Sequence, residues 1–424
     1  MHSTTESRLA VRSMLRFGLA VIILLCFRTA VAQATYIVTD LGTFGGNNSI
    51  PQGINNRGQV VGFAETTDTD PTCDCPVIHA FLWHQGVLQD LGTLGGRNSG
   101  ANSINREGQA VGFTETSTVD PNNPPFLESR SFRWEEGLMT DLGTLGGNDS
   151  FPTSIAGEGR VVGGAQTGQP DPFFGQQIHP FLWKRGLMID LGTLGGSDGF
   201  AAGINEVGQV AGGTSVDDIV VPPFTGPPFF AFLWQDGVMT NLGAMGGIES
   251  VALGINNRSQ VAGEFTFPDA DGNVTSHAFL WEGGVMKDLG TVRGDQASIA
   301  DAIDDLGRVV GGSGSGFIDG FTASHAFLWR KGLLTDLNTR IPAHSDWQLL
   351  EALGINARGQ IVAYAIQQGT GNVHAVLLNP LRSSVAGAFD ATAAATSPSA
   401  DVAPLLSESA RRLLALAKRM RFAR

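Results

Sequence analysis

Histidine is the residue here most ready to do chemistry. His79, His179, His277, His325 and His374 each head a short apolar run, typified by His-Ala-Phe-Leu-Trp at 277. Converging imidazoles would bind a metal or act as general bases. The matching positions of two further runs hold Arg130 and Phe230, which a ring of ligands would not tolerate. In an extended chain His, Phe and Trp fall on one face. Packing between neighbouring units therefore accounts for them, and for Trp83, Trp134, Trp183, Trp234, Trp281 and Trp329.

Other constellations are weaker. Cys73 and Cys75 with His79 and His84 suggest zinc. On a strand, however, the two imidazoles would stand ~16 Å apart, at ~3.3 Å per residue. The cysteines alone permit a local bridge or a free dithiol, and no disulfide framework. Gly-Thr-Leu-Gly-Gly segments lack the Lys-Ser/Thr of a phosphate loop. Asp269, Asp271, Gly272 and Asn273 make a fragment of a calcium loop without its bidentate Glu. No Ser/His/Asp set, nucleophile elbow or His-Glu-x-x-His segment is present. No catalytic or ligand-binding residue is assigned, and no cofactor or metal is called for. An acidic active site built from loops would draw on Glu65, Asp68, Glu115, Asp171 and Asp217.

The elements that position these residues come from a repeat. Asp-Leu-Gly-Thr-Leu-Gly-Gly begins at Asp90, Asp141 and Asp190, with variants at Asp40, Asn241, Asp288 and Asp336. Its period is about 50 residues, the dimension of a four-stranded propeller blade. A second block, typified by Gly53-Ile54-Asn55 and Gly58 to Gly62, recurs at Ile104, Ile155, Ile204, Ile255, Ile303 and Ile355. It reads as a hairpin. The third is the His-headed run, which turns through a glycine into a fourth strand. Tyr36 to Gly42 aligns with fourth strands only, and the last copy, from Gly354 to Leu378, lacks one. The expected fold is an all-β, seven-bladed propeller of four-stranded blades, closed by the N-terminal strand joining the C-terminal blade. Closure removes the edges that an open solenoid, the alternative, would expose.

The tight turns should share one face. The Gly-Gly crossings and the long segments 65–78, 115–129, 166–178, 215–229, 265–276 and 313–324 should share the other. Those long segments differ in every copy. Variable connections on a fixed scaffold are where binding resides.

The repeats resemble the HAF repeats of bacterial extracellular proteins, through the His-Ala-Phe at His79, His277 and His325 and its variant at His374. The resemblance covers residues 35–379 and implies export and a repeat architecture. It carries no catalytic residues. The pairs Gly163-Gly164, Gly212-Gly213 and Gly311-Gly312, each followed by a tryptophan, resemble kelch blades by analogy, without the kelch tyrosine.

The ends differ from the body. Arg8, Arg12 and Arg16, the apolar run 17–27 and Ala30-Val31-Ala32 read as a signal peptide over 1–32. The run is too short to span a bilayer. The propeller takes 33–382, a linker rich in Ala, Ser and Thr takes 383–404, and 405–424 forms a basic amphipathic helix or tail. Its apolar face suits either a membrane surface or the acidic body. The chain's net charge is −13, and 1–32 and 383–424 each carry +3, which leaves −19 on 33–382. Such acidity excludes nucleic acid as a partner.

Together these features indicate an exported monomer, located extracellularly, at the cell surface or in the periplasm. It would act as a binding scaffold for a glycan, a peptide or an envelope protein. The alternative is an extracellular hydrolase or lyase on the same scaffold.

Overall fold

The computed structural model describes residues 36–381, apart from 122, 174, 221–225, 269–272 and 316–321, together with 406–422. The expected signal peptide and linker, and Asp269, Asp271 and Gly272 of the calcium-loop fragment, lie outside the described residues.

The chain is a β-propeller. In the first repeat Gly45–Ile54, Val60–Asp70, Cys75–His84 and Val87–Asp90 pair antiparallel in chain order. Among the described residues five sheets have this four-stranded order and a sixth has eight strands. The eight-stranded sheet divides at a single pair, Gly312 opposite Glu351, into two groups of four. One runs from Ala297–Ile303 to Leu333–Asp336. The other holds Trp347–Ile355, Ile361–Gln367 and Val373–Pro380, completed by the N-terminal strand Tyr36–Asp40. The pairing runs from Tyr36 opposite Pro380 to Asp40 opposite Val376. The complementary ends of the sequence thus share one sheet.

Hydrogen bonds between repeats follow the hairpin turns around the ring. The Asn55 amide donates to the carbonyl of Asn105 (2.9 Å), Asn105 to Ala156 (3.3 Å), Asn205 to Asn256 (3.0 Å) and Asn256 to Asp304 (2.9 Å). Asn356 returns to the carbonyl of Asn55 at 3.0 Å. Ala156 and Asp304 lack the amide. There an arginine replaces the Gln that elsewhere braces the Asn, and it supplies the donor. Arg160 reaches the carbonyl of Glu206 (2.8 Å) and Arg308 that of Asn356 (3.0 Å).

The core lies between sheets. Phe81, Phe132, Phe181, Phe232, Phe279 and Phe327, the third residues of the runs headed by His or by Arg130 and Phe230, are fully buried. Each contributes ~2–3 kcal/mol by leaving water. Gly62 sits opposite Phe81 in the ladder, and a Cβ there would lie 2.1 Å from the Ile50 carbonyl oxygen and 2.9 Å from the Phe81 ring. The glycine that ends Val-Val-Gly therefore makes room for the phenylalanine of the next strand. At the crossings Gly42 and Gly45 adopt φ of 84° and 98°, which side chains resist.

One expectation is corrected. The segment 65–78 is mostly strand: Val60–Asp70 and Cys75–His84 extend as a ribbon, and only 71–74 connects them. Threonines at 66, 67 and 69 favour the extended backbone. The third repeat behaves alike, with Val161–Asp171 and Gly175–Lys184. Cys73 and Cys75 form a disulfide.

Candidate functional site

The repeated histidines do more than pack. His79 Nδ1 lies 2.7 Å from Asp90 Oδ2, and His179 stands in the same way to Asp190 (2.8 Å) and His277 to Asp288 (2.9 Å). His374 meets Asp40 at 3.0 Å, across the two ends of the chain. The other carboxylate oxygen of Asp90 accepts the Gly92 N–H at 2.7 Å. The runs at His79, His179 and His277 are thereby tied to the Asp-Leu-Gly that follows them, and His374 to the one that begins at Asp40. The bond to Asp90 raises His79 above the usual imidazole pKa, and Asp190 does the same to His179. Burial pushes Asp90 and Asp190 up, but the imidazole and the glycine N–H outweigh it and hold both low.

Where the histidine is lost the partner changes. Phe230 replaces it in the repeat that carries Asn241 in place of the aspartate. Arg130 turns to Glu128 at 2.9 Å. His325 pairs with Asp295 at 3.0 Å and is likewise raised. Sequence reasoning missed these pairs. The eleven-residue His-to-Asp interval and the paired loss at Phe230 and Asn241 were the available signal.

The five candidate carboxylates do not converge. Glu65 is buried and accepts the backbone N–H groups of Asn47 and Asn48 at 3.0 and 3.1 Å. Glu115 does the same for Arg97 and Asn98 at 3.2 and 3.1 Å. Both fasten the crossing of their own repeat. Asp68 and Asp217 are exposed. Asp171 is buried and stitches its repeat to the next: Ser197 Oγ lies 2.8 Å from its Oδ2 and 2.9 Å from Asp198 Oδ2.

A hydroxyl has one proton and cannot donate to both carboxylates. The second contact is satisfied when a carboxyl group takes up a proton, and burial, reinforced by the charge of Asp171, pushes the Asp198 pKa up to about 6. At the preceding seams Asn98 donates to Asp70 at 3.1 Å and Asn148 to Asp120 at 3.3 Å, and Asp149, the equivalent of Asp198, is raised by burial and by the charge of Asp120.

Two surfaces remain. At the centre, Gln52, Asn102, Thr153, Ala202, Leu253, Asp301 and Leu353 line a cavity of about 120 Å³. Each is the residue skipped in the register of its first strand, a bulge that turns it inward. Asn102 and Thr153 also donate to the carbonyls of Pro152 (2.7 Å) and Ala201 (2.8 Å) of the next strand.

On the connection-bearing face, Val119 and Phe126 of the second repeat and Ile219 and Val220 of the fourth are exposed, by 38 to 65 %. The C-terminal helix Glu408–Phe422 sits on the same face, with Ala410 and Leu413 buried against the first and last repeats. Its apolar side, which the sequence allowed either a membrane or the acidic body, meets the body at these residues. Among the described residues no group of three or more His, Cys, Asp or Glu is placed to hold a metal. His79 and His84 lie on one strand, as the geometric argument against zinc requires.

No protein-family model and no curated protein matches the chain. Among solved structures it is similar to the β-propeller domain of the Trilobed protease from Pyrococcus furiosus, at 8 % identity over 79 % of this chain and 98 % of that one, with a TM-score of 0.49. It is similar also to Pyrococcus horikoshii acylaminoacyl peptidase, at 12 % identity over 80 % of this chain and 58 % of that one (TM-score 0.39). A third is a PL25 ulvan lyase bound to -[GlcA(1-4)Rha3S]-, at 11 % identity over 80 % and 95 % (TM-score 0.41). The chain spans little more than half the length of the peptidase. The likeness to all three is one of fold.

Proposed function

We propose that the protein is an exported, seven-bladed propeller of the HAF-repeat type, with the eight-stranded sheet counted as two blades, and that it acts as a binding scaffold. The observation that carries this reading is the exposure of Val119, Phe126, Ile219 and Val220. All four stand on variable connections, whereas the exposed apolar side chains of the repeat itself, Val87, Leu138, Leu187, Val238, Val285 and Leu333, recur at the turn into the fourth strand. Apolar side chains left in water on one face mark a contact surface. Mainly aliphatic contacts favour a peptide or an envelope protein over a glycan. The acidity of the body favours a neutral or basic partner.

A second reading, an extracellular hydrolase or lyase, has one observation in its favour: the Asp171–Asp198 pair, with a carboxyl group that keeps its proton to about pH 6. Their near-complete burial stands against it.

Arrays of peptides and glycans, incubated with the mature protein and scored for both capture and product, separate the two. Saturable capture of peptides without product is expected. Product formed at catalytic turnover would replace the binding reading with the enzymatic one.

A further inference from the structure

The last sheet differs from the others in how it is held. The other blades draw their four strands from one stretch of chain, whereas this one borrows Tyr36–Asp40 from the opposite end and keeps it by strand pairing, the Asp40–His374 contact and the burial of Tyr36. The neighbouring junction, between the last and first repeats, is also unusual. At three other junctions an aspartate on the connection after the second strand reaches the crossing of the next repeat: Asp70 to Asn98, Asp120 to Asn148 and Asp171 to Ser197. In the last repeat that connection is short, spanning 368–372, and contains no acidic residue.

The C-terminal helix takes the missing place. Asn48, equivalent to Asn98, donates to Ser409 Oγ at 2.9 Å while it also donates to Glu65. The Ser407 N–H donates to the carbonyl of Gly371 at 3.0 Å, and Ser407 Oγ caps the helix by accepting the Ala410 N–H at 3.2 Å. Below these bonds Ala410 and Leu413 are buried with Ile50, Phe63, Tyr364 and Val373. All four of those side chains come from the two ends of the repeat array that the N-terminal strand must bring together: Ile50 and Phe63 from the first repeat, Tyr364 and Val373 from the last. Apolar anchors at i and i+3 with a polar hook one residue earlier are how a helix is read by a groove.

We propose that the groove between the last and first repeats is a binding site for an amphipathic helix, that its occupant is this chain's own C-terminal segment, and that docking clasps the ring where the two ends of the repeat array meet.

Hydrogen exchange on the full chain tests this. In Leu413→Asp the tail should undock, and exchange should rise about tenfold or more in Tyr36–Asp40, Gly45–Ile54 and Val373–Pro380, while strands of the third to fifth repeats keep wild-type protection. A synthetic peptide of residues 405–424 added to that variant should restore protection saturably, and the same peptide with Ser409→Ala should do so at higher concentration. Unchanged exchange in Leu413→Asp would overturn the proposal. So would a rise spread evenly over all repeats, or a wild-type peptide that restores nothing.

Discussion

His374 Nδ1 lies 3.0 Å from both carboxylate oxygens of Asp40, a residue 334 positions earlier. The two side chains reproduce, from opposite ends of the chain, the pair that His179 and Asp190 make within one repeat. Asp40→Asn and His374→Phe are each expected to destabilise the protein by ~0.5–1 kcal/mol, the range for partly exposed pairs. Because they act on one interaction, the double variant should lose no more than the worse single. Urea unfolding of the four proteins measures this, and additive losses would contradict it.

The pairs also set a pH window. His79 and His179 hold their protons more tightly when folded, so their contribution is complete below the usual value of 6.5 and fades as pH rises through the raised folded value. Asp90 and Asp190 are lowered, so theirs is complete above 3.8 and fades as pH falls through the lowered value. Between those limits the pairs are strongest. Wild type should therefore lose more stability between pH 5.5 and pH 8.5 than a variant with both His79→Phe and His179→Phe. Equal losses in denaturation at the two pH values would remove the pairs as the cause.

Asp198 runs the other way. Its raised pKa means that the folded chain binds a proton more tightly than the unfolded one, so stability falls as pH rises from 3.8 through about 6. Asp198→Asn keeps the acceptor for the Ile178 N–H, now 2.9 Å away, and matches the natural Asn98. It should stabilise the protein at pH 7 by up to about 3 kcal/mol, from a shift of about two units, and make little difference at pH 3.5. A variant no more stable than wild type at pH 7 would contradict the buried-proton account.

Gly62→Ala tests the aromatic slot. A methyl group 2.1 Å from the Ile50 carbonyl oxygen cannot be accommodated without moving the first strand. A loss of ~3 kcal/mol or more is expected, beyond the ordinary cost of overpacking. An unfolding midpoint near that of wild type would show that the strands separate more easily than the contact implies.

Much of this architecture was legible. The complementary ends, Tyr36 to Gly42 and Gly354 to Leu378, announced the shared sheet, because a strand-like segment without its three partners must find them elsewhere. Phe81 and Trp83 were legible as core from alternation. The ribbons at Val60–Asp70 and Cys75–His84 were not, because a threonine-rich polar segment reads as loop until its cross-strand partner is known.

The seam chemistry was hidden for a similar reason. Asp171, Ser197 and Asp198 meet only when two repeats stand side by side. Glu65 looked like a candidate acid because nothing local showed that the N–H groups of Asn47 and Asn48 would claim it.

The central functional claim is that the connection-bearing face makes contact through the second and fourth repeats. Its most direct test is peptide-array capture by wild type beside a variant carrying Val119→Ser, Phe126→Ser, Ile219→Ser and Val220→Ser. These exposed positions should leave the unfolding midpoint unchanged while saturable capture falls at least about tenfold, the loss of ~1.4 kcal/mol or more. Capture that is undiminished in the variant, or that proceeds to product in either protein, would contradict the account.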